Sequence, residues 1–97
     1  MSRVALWVVL TPKPGRAAEL RERAVRHART CLAEEDGCER FDVLAGDDGG
    51  ATLALYEVYR DEAALQAHDA SAHMALYRRD TAELIAARQR SRYQVQE

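Results

Sequence analysis

Thr52-Leu53-Ala54-Leu55-Tyr56-Glu57-Val58-Tyr59-Arg60-Asp61-Glu62-Ala63-Ala64-Leu65-Gln66-Ala67-His68-Asp69 carries two periodicities in one run. Up to Tyr59 the side chains alternate. Leu53, Leu55, Glu57 and Tyr59 share one face, and Ala54, Tyr56 and Val58 share the other, which is the two-residue period of a strand. Beyond Arg60 the spacing lengthens, and Leu65 and His68 stand three apart, as on one face of a helix. Asp61, between them, has the short acceptor side chain that caps a helix N-terminus. The run predicts a strand over 52–59 feeding a short helix over 62 to about 69.

The flanks complete the order. Gly46-Asp47-Asp48-Gly49-Gly50 is a hairpin loop of residues that tolerate positive φ, and a strand over 38–44 precedes it. Asp36-Gly37 ends a helix running from 16 to about 33, with Leu20, Ala24, Ala28 and Cys31 on its apolar stripe. Thr11-Pro12-Lys13-Pro14-Gly15 separates that helix from a first strand over 4–10. That strand is apolar at almost every position, as suits one covered on both faces. Downstream, Ser71 caps a helix over 72 to about 87, and a weakly marked strand follows over 92–95. The order βαββαβ, with its second helical region split, predicts an α+β chain with an antiparallel, ferredoxin-like sheet.

A chain of 97 residues is one domain, spanning 1–97. A core of that size is modest, so a subunit interface would add to it. One layer of helices covers one face of a sheet, and a first strand apolar on both faces implies a second sheet against the other. A homodimer is expected. Net charge is −2 with Arg and Glu interleaved, which offers no basic face to nucleic acid. The run over 4–10 is too short to cross a membrane and lacks the flanks of a signal peptide, so a cytoplasmic location is expected. Cys31 and Cys38, seven apart without a second pair, match no zinc motif and read as buried thiols.

Candidate chemistry rests on few residues. His27 falls near the edge of its helical stripe, among arginines, and reads as a surface or boundary residue. His68 and His73 both point toward the body of the protein on either side of a helix break. They are either hydrogen-bonded core histidines or acid/base groups. Glu57 stands inside an apolar strand, where a carboxylate is costly unless paired and its pKa tends to rise. The alternative is a strand residue salt-bridged to an arginine near a sheet edge. No phosphate loop or nucleophile triad is present, and there is no metal-ligand cluster beyond two separated histidines. A His-His-Glu metal site is the minor alternative, and no metal and no cofactor are expected.

Glu35-Asp36-Gly37-Cys38-Glu39-Arg40-Phe41-Asp42-Val43-Leu44 resembles the E-P-G-C-x-R-F-D-V-L signature of antibiotic biosynthesis monooxygenase domains, with Asp36 where proline is usual. The stretch from Leu55 to His68 resembles that family's strand-to-helix segment, and Ser71-Ala72-His73-Met74 its S/T-x-H turn. Small quinol monooxygenases are similar through Leu65 to His68 and Ser71 to Tyr77, with tryptophan where this chain has Tyr59. The isomerase of phosphorylated autoinducer-2 is similar through Arg40 to Leu44 and the His68 and His73 turn. The chain has no asparagine, and its one tryptophan is Trp7, which speaks against the anthrone-oxidising and haem-degrading activities of the wider fold.

The resemblance implies a dimeric α/β barrel and a cofactor-independent monooxygenase that oxidises a small phenolic or quinol-type aromatic with O2. It makes Glu57, Tyr59, His68 and His73 pocket residues. His73, near a helix start that favours neutral imidazole, is expected as the base, with Glu57 sharing its proton and His68 in a lesser role. Tyr59 and Tyr77 would bind the oxygenated ring, and Trp7 and Met74 would wall the pocket. Two alternatives use the same pocket. One is a cofactor-free isomerase of a carbonyl compound, where Lys13 or an arginine could anchor a phosphate. The other is a non-catalytic dimeric binder of small molecules.

Overall fold

The alternating run over 53–59 forms an inner strand, because both of its edges find ladder partners and its inward face packs on the helices. The structure, a computed structural model, describes residues 2–97. Its elements are β1 (Val4–Pro12), α1 (Ala17–Glu34), β2 (Cys38–Ala45), β3 (Leu53–Tyr59), α2 (Glu62–Asp69), α3 (Ala72–Thr81) and β4 (Ile85–Gln94). The strands form one antiparallel sheet in the order β2-β3-β1-β4. This is the ferredoxin-like arrangement. No described helix is long and apolar enough to cross a membrane.

The registers Leu6↔Glu57, Phe41↔Glu57 and Leu6↔Arg92 fix which side chains share a face. Val4, Leu6, Val8, Leu10, Phe41, Leu53, Leu55 and Tyr59 face the helices and are buried against Leu20, Ala24, Ala28 and Cys31 of α1, Leu65 of α2 and Met74 and Tyr77 of α3. Each fully buried leucine here stabilises the fold by roughly 1.5–3 kcal/mol. Cys31 and Cys38 are buried free thiols, and burial pushes Cys38 up to about 12. The other face of the sheet carries no helices. Trp7, Leu44 and Tyr93 stand exposed on it.

The end of the chain departs from expectation. α3 stops at Thr81 rather than near 87, and β4 begins at Ile85 rather than 92. Residues 85–91 are Ile-Ala-Ala-Arg-Gln-Arg-Ser, mostly good helix formers. Pairing with β1, from Ile85↔Pro12 to Gln94↔Val4, overrides that preference because the ladder supplies partners that an isolated helical turn cannot. β1 correspondingly extends through Pro12, where the register shifts.

Gly37 allows a close approach between two segments. A Cβ there would stand 2.4 Å from Ala64 Cβ, so only glycine lets the segment after α1 lie against α2. The adjoining Arg60 N–H donates to Gly37 O at 2.8 Å. This contact brings the end of α1 to α2, and the candidate site is built there.

Candidate active site

Two caps set the helix break. Asp61 Oδ1 accepts from Ala64 N at 2.8 Å and starts α2. Ser71 Oγ accepts from Met74 N at 3.2 Å and donates to His68 O at 2.8 Å, so one hydroxyl closes α2 and opens α3. His68 therefore sits in the last turn of α2 and His73 in the first turn of α3, with ring centroids 6.4 Å apart.

Glu35, the residue that caps the C-terminus of α1, joins them. His68 Nδ1 lies 2.9 Å from Glu35 Oε2, and His73 Nε2 hydrogen-bonds the same oxygen. A carboxylate only accepts, so His68 carries its proton on Nδ1 when neutral and turns an unprotonated Nε2 toward Glu57, 3.9 Å away. The His68 side chain is 3% exposed and that of His73 21%. His73 is thus the end of the chain that meets solvent.

Glu57 and Tyr59 form the second pair. Tyr59 Oη donates to Glu57 Oε1 at 2.6 Å. Burial pushes the Glu57 carboxyl up, and the Tyr59 hydrogen bond opposes this only in part. Burial, then the Glu57 charge, raise the Tyr59 phenol as well. Glu57 is therefore biased toward its neutral form, which leaves a hydroxyl able to donate.

His27 and Tyr77 form the third. Their rings stack at 4.0 Å with an 11° interplanar angle. His27 is buried, which corrects its reading as a surface or boundary residue. The α1 stripe is wider than the apolar pattern shows, because Cys31 Sγ, 3.4 Å from His27 Nε2, gives the imidazole a partner inside. Burial, followed by the neighbouring His68 and His73, lowers His27 to about 3, so it is neutral. Burial likewise raises Tyr77 to about 12. The Tyr77 hydroxyl is buried and has no hydrogen-bond partner among the described residues.

These groups meet at a cavity of about 170 Å³ between the sheet and the helices. Leu6, Val8, Leu10, Phe41, Leu55 and Met74 supply its apolar wall, and Glu57, His68, His27 and Tyr77 its inner polar groups. Of the residues expected from sequence, Glu57, His68, Tyr77 and Met74 line it. Tyr59 lies behind Glu57, and His73 lies one contact further out, behind Glu35. Trp7 is not on the wall. It faces the opposite side of the sheet, beside Tyr56 and Tyr93, because alternation along β1 turns Leu6 and Val8 inward and Trp7 away. Lys13 is also absent from the wall.

Glu35 was not expected. Its signal was spacing, since His27, Cys31 and Glu35 recur every fourth residue on one helical stripe. Donor atoms of Cys31, Glu35, His68 and His73 lie within 4.8 Å of one another, a set that could hold a divalent cation of the zinc type. As they stand they are bonded to each other, and burial raises the Cys31 thiol, which keeps it protonated.

The family model described as antibiotic biosynthesis monooxygenase matches residues 3–80. A protein of Mycobacterium tuberculosis named "Putative monooxygenase Rv0793" is 38% identical over 85 residues, covering 87% of this chain and 81% of that one. The solved structure of Rv0793 superposes with a TM-score of 0.88 at 31% identity, covering 99% of this chain and 97% of that one. A structure from Caulobacter crescentus CB15 reaches a TM-score of 0.93 at 18% identity, covering 99% and 92%. That last likeness is one of fold alone.

Proposed function

The chain belongs to the antibiotic biosynthesis monooxygenase family, and from that membership we propose that it is a cofactor-independent monooxygenase of a small phenolic or quinol-type aromatic. The observation that supports this reading is the His68–Glu35 pair, which turns a free Nε2 toward the end of an apolar cavity that also holds an unpartnered Tyr77 hydroxyl.

The phenolic hydroxyl of the substrate gives its proton to His68 Nε2. The imidazolium that forms lies against the Glu35 carboxylate and at the C-terminal end of α2, both of which favour positive charge. The phenolate oxygen accepts hydrogen bonds from Tyr77 Oη and from neutral Glu57, donors placed before the reaction in a site of low polarity. An ionised Glu57 would instead repel the phenolate. Glu35 and His73 carry the proton onward to solvent.

The electron-rich ring then reduces O2. One oxygen atom forms a C–O bond to the ring and the other leaves as water, so quinol and O2 give hydroxyquinone and water. The substrate supplies all four electrons, and no external reductant is needed. His68 takes the role of base that the sequence suggested for His73, because His68 lines the cavity. Apolar walls keep water from the phenolate. The open face of the sheet, bearing Trp7, Tyr56 and Tyr93, meets the same face of a second copy in this reading.

Oxygen consumption by the purified protein over a panel of monocyclic quinols tests the proposal. Stoichiometric uptake with hydroxyquinone formation is the expected result. Substrate exchange of an α-proton for solvent deuterium without oxygen uptake would replace it with the isomerase reading. Binding without either would leave a small-molecule binder.

A further inference from the structure

We propose that the cavity takes a single-ring aromatic bearing one carboxylate, and that Arg88 binds that carboxylate at the cavity mouth. This deepens the monooxygenase reading and rests on it for the placement of substrate in this cavity.

Size limits the ligand to one ring. The cavity holds about 170 Å³, and a cavity of about 150 Å³ accommodates benzene. A fused three-ring substrate does not fit that space.

Charge supplies the second limit. On the helix-facing side of β4 the register places Arg88, Arg90 and Arg92 in a row, opposite Leu10, Val8 and Leu6. All three are exposed, and they differ in whether a carboxylate already holds them. Arg92 has Glu62. Arg90 has Asp69 at 3.4 Å, a carboxylate that also lies 4.0 Å from Arg78. Arg88 has no ion pair and no side-chain hydrogen bond among the described residues, yet it lines the cavity and is exposed. Arg78 and Arg90 thus share one carboxylate, Asp69, and Arg88 has none. One uncommitted guanidinium matches one negative charge, and its planar fork suits a carboxylate.

The inner end supplies an independent pointer. The Tyr77 hydroxyl is buried on the same wall without a partner, and such groups are rare unless something binds them. An oxygen on the ligand would satisfy it. The complementary molecule therefore has a ring oxygen at the Tyr77 and Glu57 end, an apolar ring against Val8, Phe41 and Met74, and a carboxylate at Arg88.

The test uses 2,5-dihydroxybenzoate and its methyl ester, which share ring and hydroxyls and differ in charge. Titration calorimetry on the full-length protein should show the acid binding about tenfold more tightly than the ester. Arg88→Gln should bring the acid to the affinity of the ester, and Arg88→Lys should restore part of the preference. Arg92→Gln, which removes a cation already paired and away from the wall, should keep it. Equal affinities for acid and ester, failure of both to bind at about 1 mM, or a preference that survives Arg88→Gln would overturn the assignment. The two readings fail differently. Preferential binding of the acid without oxygen uptake removes the monooxygenase and leaves the carboxylate site. Equal oxidation of acid and ester removes the carboxylate site and leaves the monooxygenase.

Discussion

Glu35 accepts a hydrogen bond from His68 Nδ1 at 2.9 Å across a sequence separation of 33 residues. That bond selects the ring tautomer and frees Nε2 for the cavity. It also makes the end of α1 part of the site, through a helix stripe that begins at His27.

His68→Gln should lower kcat by about 10²- to 10⁴-fold, the usual contribution of a positioned base. Glu35→Gln should lower kcat more than it raises KM, because it releases the tautomer without touching substrate. His73→Ala removes only the outlet and should cost less than about tenfold. Oxygen uptake on one active quinol, with melting temperatures for each variant, provides the measurement. A His73→Ala loss as large as that of His68→Gln would return the base to His73.

Glu57 separates donor from base. Burial raises its carboxyl, and a neutral carboxyl and an amide both donate. Glu57→Gln should therefore keep kcat within about tenfold, while Glu57→Ala should lose about 10²- to 10³-fold, as when one oxyanion donor is removed. If the glutamine variant is as inactive as the alanine variant, Glu57 works ionised, as the base.

Dialysis against a chelator should leave turnover unchanged, since the proposed steps use only His68, Tyr77 and Glu57 and route nothing through a metal. Parallel elemental analysis checks the Cys31, Glu35, His68 and His73 cluster. A stoichiometric metal whose removal abolishes activity would make that cluster a metal centre and end the relay reading.

The fold was legible where local pattern and tertiary demand agree. Asp61 and Ser71 cap the helices at the positions their sequence implies, and the parity of β3 put Glu57 among inward side chains. β4 was partly hidden because Ala86, Ala87, Arg88 and Gln89 favour a helix until β1 offers a ladder. The site was legible as residue types and not as connections. His68 and His73 were visible, but which of them reaches the cavity depends on Glu35, and that contact depends on Gly37 letting α1 and α2 meet. The same parity that placed Glu57 correctly also placed Trp7 on the outer face. The pocket-wall role that the resemblance implied for Trp7 therefore does not match its position in β1.

His27 should make the protein acid-sensitive. Its pKa is lowered from 6.5 to about 3 in the fold. Between those values the unfolded chain binds a proton that the folded chain does not, so stability is full above pH 6.5 and falls as pH drops toward 3. Glu57, raised by burial, acts in the opposite sense as pH rises above its ordinary range. It does so in wild type and variant alike. His27→Phe keeps a ring against Tyr77 and removes the titration. Its melting temperature should therefore fall less than that of wild type across this window, as thermal unfolding at a series of pH values would show. Parallel curves would mean that His27 is protonated in the folded protein.

The open face of the sheet should be the dimer interface. Trp7 is 39% exposed, Leu44 42% and Tyr93 60%, and Val9, Ala54 and Tyr56 lie among them by register. Arg40, Asp42, Gln89 and Ser91 lie on the same face. Large exposed apolar side chains with polar neighbours mark an interaction surface, and a stable interface needs about 800 Å² from each partner. A four-stranded sheet offers area on that scale, and two such faces pack as a symmetric pair. Placing a charge at its centre should be far more damaging than placing one on an isolated exposed leucine. Light scattering should give a dimer for wild type at micromolar concentration and a monomer for Trp7→Arg. Leu76→Arg, on α3, where Leu76 is 46% exposed, should remain dimeric. Because Trp7 and the cavity lie on opposite sides of the sheet, a Trp7→Arg monomer that stays folded should still bind ligand at Tyr77 and Arg88. Wild type that is monomeric, or Trp7→Arg and Leu76→Arg that behave alike, would move the interface elsewhere.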